Sequence, residues 1–109
     1  MTNRDVFRLL VEVNADEPGG LRQVLEAAIP GAQILEVEGG FHVEGTLRGD
    51  SARDLNRSLL SALRRVQRKT RVRSHWTSHG ITERFFDYVP KGTSPATGQG
   101  SGEPGEPRP

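Results

Sequence analysis

A two-layer α+β sandwich, with the element order β-α-β-β-α-β, is the fold class this sequence predicts. Three observations lead to it. Four runs of residues alternate apolar and polar with a period of two. Two runs place apolar residues at helical spacing, i, i+3, i+4 and i+7. Pro-Gly and Gly-Gly pairs separate these runs where the chain has to turn.

The first strand spans roughly 5–14: Phe7, Leu9, Val11 and Val13 point one way, and Arg8, Leu10 and Glu12 the other. A helix follows from about Pro18 to Ile29, with Leu21, Val24, Leu25 and Ala28 on one face, and Pro30-Gly31 stops it. The second strand, about 32–38, sets Leu35 and Val37 opposite Glu36 and Glu38. Gly39-Gly40 signals a hairpin. In the third strand, about 41–48, Phe41, Val43, Gly45 and Leu47 face inward, and His42, Glu44 and Thr46 outward. Gly49-Asp50 turns the chain, and Ser51 with Asp54 resembles a capping box at the start of a second helix. That helix runs to about Lys69 with Leu55, Leu59, Ala62, Leu63 and Val66 as its stripe. A fourth strand, about 71–77, turns Val72, Ser74 and Trp76 to one face and Arg71, Arg73 and His75 to the other. A short amphipathic segment, Ile81 to Val89, closes the folded part.

Two right-handed β-α-β crossovers put both helices on one face of an antiparallel sheet. The expected fold is therefore ferredoxin-like, with strand order 4-1-3-2. The other sheet face is left bare, carrying Arg8, Leu10, Glu12, Glu36, Glu38, His42, Glu44, Thr46, Arg71, Arg73 and His75.

The chain has 109 residues, which suits one domain. Residues 1–90 are expected to fold. Residues 91–109 are a Gly/Pro-rich tail expected to be disordered, since they offer almost nothing to a core. The absence of cysteine excludes disulfides and thiolate metal sites. No apolar run approaches a membrane span and the start of the chain has no secretory core, so a cytoplasmic protein without membrane contact is expected. Charge is unevenly spread. Residues 1–54 hold 10 acidic and 5 basic side chains, while 55–82 hold 7 basic and no acidic ones.

The segment Asp16-Glu17-Pro18-Gly19-Gly20-Leu21 ends a strand and opens a helix. Asp16 suits a helix cap and Pro18 a first helical turn. The doubled glycine exceeds what a cap needs and leaves N–H groups at the positive end of the helix dipole. A plain capped turn, an effector site and a site for another anion all fit.

The stretch Val11-Glu12-Val13-Asn14-Ala15-Asp16-Glu17-Pro18-Gly19-Gly20-Leu21, followed by Val24-Leu25, Ala28, residues 31–37 and Asp54-Leu55-Asn56, resembles ACT domains. The likeness covers about 70 residues, from Phe7 to about Thr77. It implies a non-catalytic regulatory module, often paired edge to edge. An amino acid or related anion would meet Asp16, Gly19, Gly20 and Leu21. The chain has no room for the enzyme or regulator on which such modules usually hang. The basic stretch also lies outside the family pattern.

That stretch comprises Arg57, Arg64, Arg65, Arg68, Lys69, Arg71 and Arg73. It could bind a nucleic-acid backbone, pair with the acidic strands or a protein, or remain a solvated face. The outward positions of strands one and three carry no stacking rings apart from His42, so the sheet is a poor RNA platform. Phe85, Phe86 and Tyr88 concentrate aromatic surface just before the tail. They either fold back onto the domain or anchor a partner protein. No nucleophile with a base, no enclosed acid pair and no metal-ligand set stands out, so no catalysis and no cofactor are expected. His75 and His79 are four apart but do not meet on a strand and its following loop. The sequence thus favours a small-molecule-responsive binding module acting as a homodimer. A protein adaptor using the bare face and residues 84–90, and a nucleic-acid backbone binder, are the alternatives.

Overall fold

The computed structural model describes residues 5–95, in six strands and two helices. The strands are β1 (Asp5–Asn14), β2 (Gln33–Val37), β3 (Gly40–Gly49), β4 (Arg71–Ser78), β5 (Ile81–Phe86) and β6 (Val89–Pro95). The helices are α1 (Leu21–Ala28), which follows a 3₁₀ turn at Pro18–Gly20, and α2 (Ala52–Val66). All six strands form one antiparallel sheet in the order β2-β3-β1-β4-β5-β6.

This corrects the expected ferredoxin-like sandwich. A four-stranded sheet of order 4-1-3-2 would end at β4. Here β5 and β6 extend the sheet beyond β4 through two tight hairpins. The first turns on His79-Gly80, both with positive φ (53° and 77°), and the second on Asp87-Tyr88, with Asp87 at 55°. The segment 81–89, expected only to be amphipathic, alternates with a strand period instead: Phe85 is buried, while Arg84 and Phe86 face the other way. Strand β6 carries Pro90 and Pro95, which an edge strand tolerates because its outer N–H groups need no partner. It continues past Pro90, where the tail was expected to begin. The rest of that expected tail, 96–109, lies outside the described residues.

The core lies between one face of the sheet and the two helices. Phe7, Leu9, Val11 and Val13 of β1, Phe41 and Val43 of β3, Val72 and Trp76 of β4 and Phe85 of β5 pack against Leu21, Leu25, Ile29, Leu59, Leu60 and Leu63. Ser51 accepts a hydrogen bond from the Asp54 N–H at 3.1 Å and starts α2. The buried stripe of α2 is Ala52, Asn56, Leu59, Leu60 and Leu63, rotated from the expected one, and Val66 is exposed. Strand β2 is also corrected. Its register pairs Ile34 with Val43 and Leu35 with His42, so Ile34 faces the helices and Leu35 the open side. A one-residue slip exchanges the two faces of a strand. Glu36 lies opposite Phe41 on the helix side and is not part of the bare face.

Candidate functional site

The helices cover one face of the sheet. The opposite face is built from three parallel rows of side chains, fixed by the strand register. The first row runs Leu35, His42, Glu12, Arg73, Phe86 and Val89, from β2 to β6. The second runs Gln33, Glu44, Leu10, His75, Arg84 and Gly92. The third runs Thr46, Arg8, Thr77, Thr82 and Ser94. Leu35 and Leu10 are 64% and 50% exposed, large apolar side chains placed on a solvent face by the register alone.

Two adjoining open hollows of about 510 and 500 Å³ share Leu10, Gln33, Glu44 and His75 in their walls. Charge is divided across this surface. Glu12 and Glu44 lie on β1 and β3 together with Arg8 and Arg48, while Arg71, Arg73 and Arg84 lie on β4 and β5 without a carboxylate beside them on this face. The guanidinium groups of Arg71 and Arg73 both lie over the Phe86 ring, 5.7 and 5.4 Å from its centre. Arg84 donates to Ser94 Oγ at 2.8 Å. The contact of His42 with Glu12, at 3.9 Å between half-exposed groups, adds little stability.

Partial desolvation lowers the His75 pKa below 6.5; the nearby Arg84 charge acts in the same direction, and Glu12 opposes them. A histidine depressed in the folded state is neutral where the unfolded chain already binds a proton. Its contribution is therefore present above about pH 6.5 and lost as pH falls through the folded value. We expect the unfolding midpoint of the native chain to drop on acidification through this window, and the His75→Gln variant to show a shallower drop. Equal slopes in melts across pH 5–8 would contradict the assignment.

The residues singled out in the sequence fall in several places. Asp16 makes no capping hydrogen bond; α1 begins after the Pro18–Gly20 turn with no side-chain cap. Leu21 is fully buried in the core, so only its backbone could meet a ligand. Gly20 lies beside Val66, and the space next to Gly19 is open.

The basic stretch is divided between the two sides of the sheet. Arg64 donates to the Thr70 carbonyl at 2.9 Å, lies 3.4 Å from Asp87 Oδ2 and covers the Tyr88 ring, so it is engaged in holding the fold. Arg71 and Arg73 belong to the open face. Arg57 lines a small hollow with Arg53, Asn56, Phe85 and Tyr88. Arg65, Arg68 and Lys69 are exposed at the end of α2.

The aromatic segment is divided too. Phe85 is core, the Tyr88 hydroxyl meets Ser61 Oγ at 3.1 Å, and Phe86 alone is on the open face. His79 contacts Asp5 Oδ1 at 2.9 Å in its turn, while His75 lies mid-strand opposite Leu10.

The sequence reading missed the most connected polar residue. Asn56, 2% exposed, accepts from Ser74 Oγ at 2.6 Å and from Trp76 Nε1 at 3.4 Å, and donates to the Asp87 carbonyl at 2.8 Å. Asp87 in turn accepts from the Val72 N–H at 2.8 Å. The available signal was a polar residue at a stripe position, with Leu59, Leu60 and Leu63 at i+3, i+4 and i+7. Leu35 was missed as a surface residue because β2 carries apolar residues on both faces.

Among the described residues no group of three or more His, Cys, Asp or Glu could hold a metal ion, and no helix is long and apolar enough to cross a membrane. In comparisons with known proteins, no family model, no curated protein and no solved structure matches this chain, and none of the three identifies an ACT-like domain.

Proposed function

We propose that the chain is a non-catalytic protein-interaction module whose working surface is the open face of its sheet. One observation carries this reading: Leu10 and Leu35 stand exposed on a sheet face that no element of the described chain covers, with the carboxylates of Glu12 and Glu44 beside them and the guanidinium groups of Arg73 and Arg84 beyond. Mixed apolar and charged surface of this kind suits a protein interface, with apolar contacts at its centre and charges that fix orientation. The hollows over Leu10 are open to solvent, which disfavours chemistry that needs water excluded. The small-molecule reading keeps only the glycine turn at 18–20 in its favour, and the nucleic-acid reading is disfavoured by a basic stretch split between the two sides of the sheet, with Arg64 engaged inside the fold.

A photo-crosslinking amino acid tests the proposal. Placed at Leu10 or Leu35 in cells, it should give a discrete protein product. Placed at Arg22, on the outer side of α1, it should give none. The absence of product from both open-face positions, in a chain that melts normally, would overturn the reading.

A further inference from the structure

Resting on that reading, we propose that the partner on the open face is a second copy of this chain, docked face to face about a two-fold axis that runs parallel to the strands between β1 and β4. The strand order makes the consequences of such an axis countable. With six strands in the order β2-β3-β1-β4-β5-β6, this rotation lays β1 over the partner's β4, β3 over β5 and β2 over β6. Position along the strands is conserved, so each row of the face meets the same row read backwards.

The first row reads Leu35, His42, Glu12, Arg73, Phe86 and Val89. Reversed on itself, it sets Glu12 against Arg73, His42 against Phe86 and Leu35 against Val89. Each meeting joins opposite charges, two rings or two apolar groups. The second row reads Gln33, Glu44, Leu10, His75, Arg84 and Gly92. Reversed, it sets Glu44 against Arg84 and Leu10 against the largely neutral His75, whose depressed pKa suits an apolar neighbour. In the third row Thr46 meets Thr82 and Arg8 meets Thr77. Two charge pairs therefore repeat as four across the dimer.

The alternative axis, in the same plane but across the strands, would lay each strand over its own counterpart, so Glu12 would not meet Arg73, nor Glu44 meet Arg84. Complementary charges fix orientation in an interface, and the axis along the strands is the one of the two that forms both pairs. Packed sheets keep their strands within roughly 30° of each other. The twist relaxes the outer pairings more than the central ones, and Glu12 with Arg73 lies at the centre.

Single charge reversals test the arrangement with purified full-length chain. Sedimentation equilibrium at micromolar concentration should give twice the chain mass of 12.0 kDa. Raising salt from 50 to 500 mM should loosen the dimer several-fold. Glu12→Arg and Arg73→Glu should each weaken self-association about 100-fold or more, since each variant dimer brings two like-charged pairs together. An equimolar mixture of the two variants should recover the dimer, because each chain then supplies the sign the other lacks.

The mixture separates docking from misfolding, since it leaves the altered charges within each chain as they were. A monomeric native chain would overturn the proposal. So would a dimer indifferent to both reversals, or a mixture that stays monomeric. A monomer that still crosslinks from Leu10 to a different protein would overturn the second-copy assignment alone and leave the interaction-module reading standing. Loss of all crosslinking from the open face would remove both.

Discussion

Replacing Asn56 by leucine lowers the unfolding midpoint by on the order of 20 °C. Asn56 is the only element of α2 that joins both β4 and the β5–β6 turn by side-chain hydrogen bonds among those described. Leucine is close in size and leaves little cavity, so the loss is mainly polar. The hydroxyl of Ser74 and the indole N–H of Trp76 lose their acceptor where neither is exposed, and the carbonyl of Asp87 loses its donor. A buried polar group left without a partner costs about 1–3 kcal/mol. The Trp76 contact, at 3.4 Å, lies at the long end and contributes least. The sum is about 3–5 kcal/mol, and each kcal/mol moves the midpoint of a domain this size by roughly 4–8 °C.

Asn56→Asp sharpens the test. The carboxylate keeps the acceptor for Ser74 but turns a lone pair toward the Asp87 carbonyl and buries a charge. Protonation restores a donor, so the folded state raises the pKa of this carboxyl, and the stability of the variant is lost as pH rises through that value. Its stability should therefore rise on acidification, opposite to the trend expected from His75. A leucine variant within about 1 kcal/mol of the native chain in urea melts would show that the hydrogen-bonded centre contributes little.

The same residue shows how far the sequence could be read. The apolar residues of β1 and β3 alternate with polar ones because one face of each strand packs toward the helices, and both were legible to within a residue. So was the start of α2, where Ser51 caps as its type and position suggest. Strand β2 has five residues with apolar side chains at Ile34, Leu35 and Val37, so both faces fit the pattern. Only pairing with β3 decides between them, and that is a tertiary fact.

Strands β5 and β6 were hidden by their turns and composition. His79-Gly80 is an uncommon hairpin pair, Asp87 takes a left-handed conformation usually left to glycine, and the prolines and glycine of β6 resemble a tail. The candidate site followed the same division. Leu10, Glu12, Glu44, Arg73 and His75 were placed on the bare face from alternation alone. Leu35, Arg84 and Phe86 required the register of strands whose pairing the sequence does not display.

Gly40→Ala should destabilise the chain by about 3 kcal/mol or more, although the backbone there has no positive φ and alanine is an ordinary strand residue. The cause is close approach. A Cβ at Gly40 would be driven into the carbonyl oxygen of Val13 and would lie 2.7 Å from its carbonyl carbon. The obstacle is the backbone of the neighbouring strand β1, so no flexible side chain can move aside.

Gly40 opens β3, faces Asn14 at the end of the ten-residue ladder with β1, and pairs with Val37 of β2. Relief therefore requires the end of that ladder to open and the β2–β3 hairpin to shift. The Ala15 N–H, bonded to the Gly39 carbonyl at 3.0 Å, should exchange with solvent far faster in the variant than in the native chain. Amides in the middle of β1, such as that of Leu9, should lose protection only in step with global stability. Gly19→Ala is the matched control: nothing lies within 4 Å of the added carbon, and the expected change is within about 0.5 kcal/mol. Equal melts for the two alanine variants would show that β1 and β3 do not approach as closely at Val13 and Gly40 as the sheet geometry requires, and would displace the open-face rows that depend on that register.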